Sequence, residues 1–504
     1  MFAEEASSSE PSCTKLQPYH ILTTRQKWNL VIFVSLAGAF SPLSSNIYFP
    51  ALDTISTDLN VSPSLVSLTI TVYMIVQGIA PSLFGAFSDS SGRRATFATC
   101  LIIYTVANLA LAFTSSYPML MVLRALQAAG SAPTISISAG VIADIALPEE
   151  RGGFIGTNAG VRMMGQAVGP VIGGLLNSAW GFRSIFWFLF TLSVIVLGAL
   201  LVFLPETQRN LAGNGSIPLS GFRKPLAYAL KPPTAWSVRS GTCPSNPNPP
   251  LSLRKAFDPL AYVLEKDIAT LLAWGSVAYT AWSMVTSSTT TMLLNEFPFL
   301  TQWQIGLCFL PNGLGCICGS LSTGWLLDQS FRRAVAKYKA QHGVDNAYDI
   351  KGAPDFPFIK TRLRLMPLFS IILAISLALY GPSFEFNDIR RQFSPNLAPP
   401  LVLQFVIAFT ATSIFNINST VLIDCFPDRP ASATALNNLC RCLLGAAGVS
   451  AIQPLIAAVR AMVAFLIVAG VVVLCTPLIW IEWKWGERWR REREARLAQQ
   501  ETTD

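Results

Sequence analysis

The chain has 504 residues, 52% of them hydrophobic and only 13% charged, with a net charge of +8 and a mean hydropathy of +0.46. A water-soluble protein carries roughly 25% charged residues, so this deficit excludes an ordinary soluble enzyme and makes lipid the main solvent. The positive charge does not mark a nucleic-acid binder, because the basic residues sit beside apolar runs and form no patch interleaved with aromatics.

In chain order, residues 1–27 lack the basic-then-apolar order of a cleaved signal and read as a disordered cytosolic tail. Apolar runs of about 20 residues cross a bilayer as helices, and six of them follow: roughly 28–49, 64–87, 95–114, 117–143, 152–178 and 182–204 (spans 1–6). A polar interval at 205–266, containing GNGS and CPSNPNPP, has the proline and glycine content of a linker. Six more runs, near 267–293, 301–327, 363–381, 399–424, 431–457 and 461–483 (spans 7–12), precede a cytosolic tail at 484–504. The expected fold is therefore an all-α polytopic membrane protein: twelve transmembrane helices in two pseudo-symmetric six-helix bundles, 28–204 and 267–483.

Lys and Arg set the orientation. With the N-terminus in the cytosol, Lys15, Arg25, Lys27, Arg93, Arg94, Arg151, the linker, the loop from Arg332 to Arg362 and the tail KWGERWRREREAR are all cytosolic. Outer loops then keep only Arg183, Arg390, Arg391 and Arg460. Asn60-Val-Ser62 becomes an outer sequon, too close to the membrane to expect its use.

No chemistry-bearing cluster emerges. Cysteines 100, 308, 316, 318, 440, 442 and 475 fall in apolar runs, and the rest lie in segments read as cytosolic, so free thiols are expected. Cys316 and Cys318 lack the partners and spacing of a metal site, and only His20 and His342 are present. Neither a metal, a cofactor nor an enzymatic activity is expected.

The two halves repeat. GAFSDSSGRR (85–94) joins spans 2 and 3, and GWLLDQSFRR (324–333) leaves span 8, aligning Gly85, Asp89, Arg93 and Arg94 with Gly324, Asp328, Arg332 and Arg333. Asp144 ends span 4 before PEER, and Asp424 ends span 10 before PDR. Arg162 follows the first acid in span 5, and Arg441 follows the second in span 11. Parallel halves of six helices with a central site are one solution for alternating access.

These motifs resemble those of the major facilitator superfamily. GAFSDSSGRR resembles its cytoplasmic loop signature, RALQAAG (124–130) its span-4 arginine motif, and GVRMMGQAVGPVIGG (160–174) the span-5 Gly-Pro signature of its proton-coupled antiporters. SPLSSNIYFPAL (41–52) and ASATALNNLCRCLLGAAG (431–448) resemble its twelve-span drug:proton antiporters, particularly fungal members. The resemblance implies a charge cluster of Asp89, Arg93 and Asp144 that stabilises the outward-open state and helps close the cytoplasmic side. It implies a proton-coupling role for Arg124, and a hinge of Gly165, Gly169, Pro170, Gly173 and Gly174 where spans 5 and 8 pack closely. Phe331 replaces Gly92 in the second loop, which sets that loop apart from the family pattern.

Ionisable groups deep in a bilayer are costly and usually functional. Here they are Arg124, Arg162 and Arg441, with no carboxylate near the middle of any span. Unpaired arginines offer bidentate sites for carboxylate or phenolate, which favours anionic or neutral cargo. Asn46, Tyr73 and Gln77 are further candidates for the cavity, ranked on the family's placement of spans 1 and 2. The expected function is proton-driven export of small organic molecules, from a drug to a secondary metabolite. The energy source is the proton gradient, and the partners are lipid, substrate and protons, in a monomer of the plasma membrane, with the vacuolar membrane as the alternative. A proton-independent facilitator or importer of an organic acid and a transporter-like sensor stand as alternatives. The coupling acid is open, with Asp53 at the outer end of span 1 as a candidate.

Overall fold

The computed structural model describes residues 20–146, 151–213, 224–227, 263–342, 358–389, 396–425 and 430–501. Most of the interval 205–266, the PDR turn, most of PEER, Cys13, Cys243, Arg390 and Arg391 lie outside them. The described residues contain helices and no strand.

Among the described residues, ten segments are long and apolar enough to cross a membrane. One of them, Thr434–Arg493, is bent at Arg460, where φ of 65° and ψ of 165° break the helix into two legs. The helix Arg151–Trp180 stands outside the ten because Arg162, Asn158, Gln166 and its glycines dilute its apolarity. Among the described residues, dividing the first at its bend and adding the second gives twelve long helical segments, the added one less apolar than the ten.

Several boundaries run past the apolar limits. Span 1 continues in pieces, Thr24–Gly38, Phe40–Asn46, a turn at Phe49–Ala51 and Leu52–Asp58, because Pro42 and Pro50 each lack an N–H for the helical ladder. Pro133 likewise divides span 4 into Tyr117–Ser131 and Pro133–Ile145. Span 2, Pro63–Ser91, stops at Gly92, whose φ of 109° suits a residue without a Cβ. Span 8 runs on as Leu310–His342, so part of the expected loop is helix. Span 12 continues as Pro477–Glu501, beyond its expected end at 483.

Within the first half, span 3 packs on spans 4 and 6; within the second, span 8 packs on span 10 and span 7 on span 11. The halves meet along span 2 against span 11 and span 5 against span 8. Large apolar side chains such as Val122, Ile195, Leu321 and Leu474 remain exposed on the periphery. In water such a surface would aggregate; in a bilayer it faces acyl chains.

Candidate functional site

The charged helix ends gather on one side of the bundle, termed here the basic side. Arg93 opens span 3. Its Nη1 donates to Asp89 Oδ1 at 2.6 Å and to Ser88 Oγ at 3.1 Å, and its Nε donates to Asp144 Oδ2 at 3.0 Å. The Asp89 side chain is 67% exposed and that of Asp144 13%, so the second bond lies in the lower dielectric and is the stronger. The cluster expected from the sequence is thus one assembly, but all its partners belong to the first bundle. Among the described residues its ion pairs do not cross to the second bundle.

Glu206, just past span 6, completes this assembly. It is 2% exposed. Its Oε1 accepts from the backbone N–H groups of Arg93 at 2.8 Å and Gln208 at 3.0 Å, and its Oε2 from that of Arg94 at 3.2 Å. Gly92 cannot cap span 3 with a side chain, so the carboxylate does so from another element, where the helix dipole favours negative charge. A Cβ on Gly92 would come within 2.4 Å of Glu206 Oε2. Arg94, also buried, donates to the carbonyls of Leu200 at 3.1 Å, Leu201 at 2.8 Å and Leu204, closing the C-terminus of span 6. The first residues of the expected linker are therefore packed on the first bundle.

The second bundle repeats this arrangement with a different arginine. Arg362, on the short helix leading into span 9, pairs with Asp424 at 3.3 Å and lies 4.5 Å over the Phe331 ring. Arg332 and Arg333, aligned with Arg93 and Arg94 by sequence, are exposed. They lie on the exposed face of the helical continuation of span 8. Glu487, past span 12, accepts from the backbone N–H of Ile359 at 2.6 Å, mirroring Glu206.

Between the bundles, glycines show where the helices touch. Gly153, Gly160, Ala167 and Gly174 recur every seven residues along one face of span 5. A Cβ on Gly174 would lie 2.8 Å from Gln302 O and 2.9 Å from Gly306 Cα, and one on Gly313 would lie 2.4 Å from Ala167. Gly153 and Gly160 have nothing within 4 Å, nor does Gly324, on the face of span 8 that carries Gly313. Spans 2 and 11 behave alike: a Cβ on Gly78 would meet Cys442 at 3.1 Å, whereas Gly85, two turns further on, faces open space. Both inter-bundle seams are pinched on the side opposite the basic rim and splay toward it. Gly165, Gly169 and Gly173 have another neighbour: they pack on span 1, at Ala39, Asn46 and Ile47, and a Cβ on Gly173 would reach 2.0 Å from Ile47 O. The Gly-Pro segment therefore holds span 5 against span 1 on one face and span 8 on the other, with Pro170 presenting its carbonyl to Gly306.

The three intramembrane arginines do not share one site. Arg124 is sealed inside the first bundle, with its guanidinium carbon 4.1 Å from the Tyr48 ring centre and 4.4 Å from that of Tyr73. Its Nη1 donates to Gln127 Oε1 at 2.6 Å and Ser44 O at 3.4 Å, and its Nε and Nη2 have no hydrogen-bond partner. Arg162 and Arg441 lie at the inter-bundle seam. The charge acting on Arg162 is that of Arg441, which repels it, and the Nε of Arg162 has no partner. Arg441 donates to Asn438 Oδ1 from Nε at 3.1 Å and Nη2 at 2.8 Å, stacking at 4.8 Å over Tyr279 and 4.7 Å over Phe415. Asn438 in turn donates to Gln77 O at 3.0 Å, and Gln166 to Cys316 Sγ at 3.3 Å. Two cations from opposite bundles thus lie close enough for their charges to interact, Arg441 among aromatic rings and an amide, with no carboxylate paired to either among the described residues.

Residues 34–449 match the sequence profile of the Major Facilitator Superfamily. The chain belongs to that superfamily. A relative named citrate exporter 1, from Aspergillus niger, is 48% identical over 98% of this chain and 92% of its own. A multidrug transporter of Candida glabrata, QDR2, is 31% identical over 88% and 78%. The solved structure of a D-xylose–proton symporter superposes with a TM-score of 0.64 over 90% of this chain and 97% of that one, at 14% identity, and shares the fold. Membership makes this protein a multi-pass membrane transporter of small molecules, not an enzyme.

As a major facilitator, the chain places its remaining candidates unevenly. Gln77 lies at the seam, its Nε2 donating to Ser41 Oγ at 3.3 Å. Tyr73 is fully buried in the first bundle, bonded to Ser41 O and Ser131 Oγ. Asn46 spends its amide on Pro42 O at 2.7 Å, within its own helix. Glu206, Glu487 and Arg362 went unread in the sequence; the only available signal was an acid following each half's last span.

Proposed function

We propose that this transporter exports organic anions, polycarboxylates of the citrate kind first among them, by proton antiport with alternating access. The observation that carries this reading is the pair Arg162 and Arg441, one from each bundle, repelling one another with no counter-charge among the described residues. A bound polyanion would neutralise both and bridge the halves by charge-assisted hydrogen bonds. A relative named a citrate exporter, 48% identical, supports that choice over the drugs that the name of a more distant relative suggests. The basic side would face the cytosol, following the excess of Lys and Arg there, so the splayed seams would admit cytosolic substrate. Arg124, sealed between two tyrosine rings, would be the coupling charge, and the working unit a monomer in the plasma membrane. The test is counterflow in proteoliposomes against tricarboxylates, monocarboxylates, neutral compounds and polyamines, with and without an imposed pH gradient. Tricarboxylate exchange accelerated by the gradient is expected; preferential movement of cations, or indifference to the gradient, would overturn the substrate class or the coupling respectively.

A further inference from the structure

Glu482, near the end of span 12, is 1% exposed and faces span 7. Its Oε2 meets Thr270 Oγ1, and its Oε1 has no hydrogen-bond partner. Asp267, at the start of span 7 and also 1% exposed, gives its Oδ2 to Arg493 Nε at 3.2 Å and Nη2 at 3.0 Å; its Oδ1 has no partner. Arg493 comes from the helix beyond span 12, is itself 2% exposed, and reaches Cys425 O at 3.5 Å. One guanidinium thus stands among two buried carboxyls and is committed to one of them.

The other groups around Glu482 do not balance its charge. The charges reaching it are Asp267 from span 7 and Glu487 and Arg493 from its own helix. Cys425, at the end of span 10, lies within reach of the charges of Asp267, Arg493, Arg490 and Glu482. Arg362, on the helix leading into span 9, is held by Asp424, and Lys360 on the same helix is exposed. Thr270 has one hydroxyl hydrogen. Its Oγ1 lies 3.0 Å from Lys266 O and 3.2 Å from Asp267 O, the backbone acceptors that a helical threonine ordinarily serves. With one hydrogen and three acceptors in reach, Thr270 leaves Glu482 without a dedicated donor unless Glu482 carries its own proton. A buried carboxyl that lacks a committed cation meets its burial in the same way, by staying neutral.

We propose that Glu482 is a proton-binding site that controls docking of the helix beyond span 12. The proton sits on Glu482 while that helix is docked. When it leaves, the carboxyl O–H bond breaks and the proton passes to water on the basic side, with no redox partner involved. Two ionised carboxylates then face one guanidinium in a dry site, and the helix lifts. Its other ties would go with it: Arg496 to Glu265 at 2.7 Å and Glu487 to the Ile359 N–H at 2.6 Å, so undocking reaches the start of span 7 and the short helix leading into span 9. The inference concerns this site alone and holds whatever solute is carried; only its link to cytosolic pH rests on the orientation proposed above.

The test uses the full-length protein in nanodiscs, with hydrogen exchange of residues 484–501 followed from about pH 6 to about pH 9 and corrected for intrinsic rates. In the wild type, protection should fall about tenfold or more through a single-proton transition. Glu482→Gln keeps the shape and donates to Thr270 through its amide, so its tail should stay protected at every pH. The infrared band of a protonated buried carboxyl should vanish in the same variant. Asp267→Asn frees Arg493 for Glu482 and should move the transition to lower pH. A flat wild-type profile, a Glu482→Gln profile that titrates like wild type, a carboxyl band that survives the substitution, or an unmoved midpoint in Asp267→Asn would each overturn the proposal.

Discussion

Replacing Gly174 by alanine adds one methyl group at the tightest contact between spans 5 and 8. The new Cβ would sit 2.8 Å from Gln302 O and 2.9 Å from Gly306 Cα. Both are backbone atoms that cannot turn aside, and carbon contacts are most favourable near 3.5–4.0 Å, so the helices must part by roughly 0.5–1 Å. Overpacking of this kind costs about 1–3 kcal/mol, and the cost falls only on the form in which this side is closed. A 1.4 kcal/mol difference is about tenfold in an equilibrium constant, so the population should shift about ten- to a hundredfold toward the form open opposite the basic side. Gly156 supplies the control: it lies on the same helix, has nothing within 4 Å, and as alanine should gain up to about 1 kcal/mol of helix propensity. Spin labels at Trp180→Cys and Trp303→Cys, both exposed near that contact, report the separation by electron–electron resonance. A longer-distance population is expected in Gly174→Ala and not in Gly156→Ala. Identical distributions in Gly174→Ala and wild type, or an equal shift in both variants, would refute the reasoning.

Other predictions follow from the charged ends. Arg362→Ala should lower the thermal midpoint by removing the ion pair with Asp424, as Arg93→Ala should by removing that with Asp144, whereas Arg332→Ala, at an exposed side chain, should leave the midpoint unchanged; equal effects of Arg332→Ala and Arg362→Ala would contradict the assignment. His20, lowered to about 4 by burial and then by the charges of Lys27 and Arg209, stays neutral in the folded chain at pH values where the unfolded chain takes up a proton. Folded stability should therefore decline as pH falls from about 6.5 to about 4, by up to about 2 kcal/mol after solvent screening. His20→Gln should remove that decline, read from thermal melts across the window; an unchanged acid-side slope would refute it.

The apolar runs and the positions of Lys and Arg were legible because a bilayer imposes length and charge rules on any segment that crosses it. The contact of Arg93 with Asp89 and Asp144 was legible too, since all three cluster at helix ends. What could not be read was which element completes a helix end. Glu206 looks like a linker residue until Gly92 is seen to leave span 3 uncapped. Arg332 outranks Arg362 in any alignment until span 8 is seen to continue through it as helix. Arg124, Arg162 and Arg441 look equivalent as isolated charges, yet the first is enclosed by Tyr48 and Tyr73 and the other two share a seam. Burial and facing direction depend on how helices rotate against one another, and no spacing along a single helix encodes that.

The central claim is that Arg162 and Arg441 together bind the transported anion. The direct measurement is tricarboxylate counterflow in proteoliposomes by wild type, Arg162→Gln, Arg441→Gln and the double variant, each checked for an unchanged thermal midpoint. Charge-assisted hydrogen bonds contribute about 1.5–3 kcal/mol, so each single variant should weaken apparent affinity about ten- to a hundredfold, with exchange of a neutral solute unaffected. Wild-type tricarboxylate exchange in the folded double variant would contradict the account.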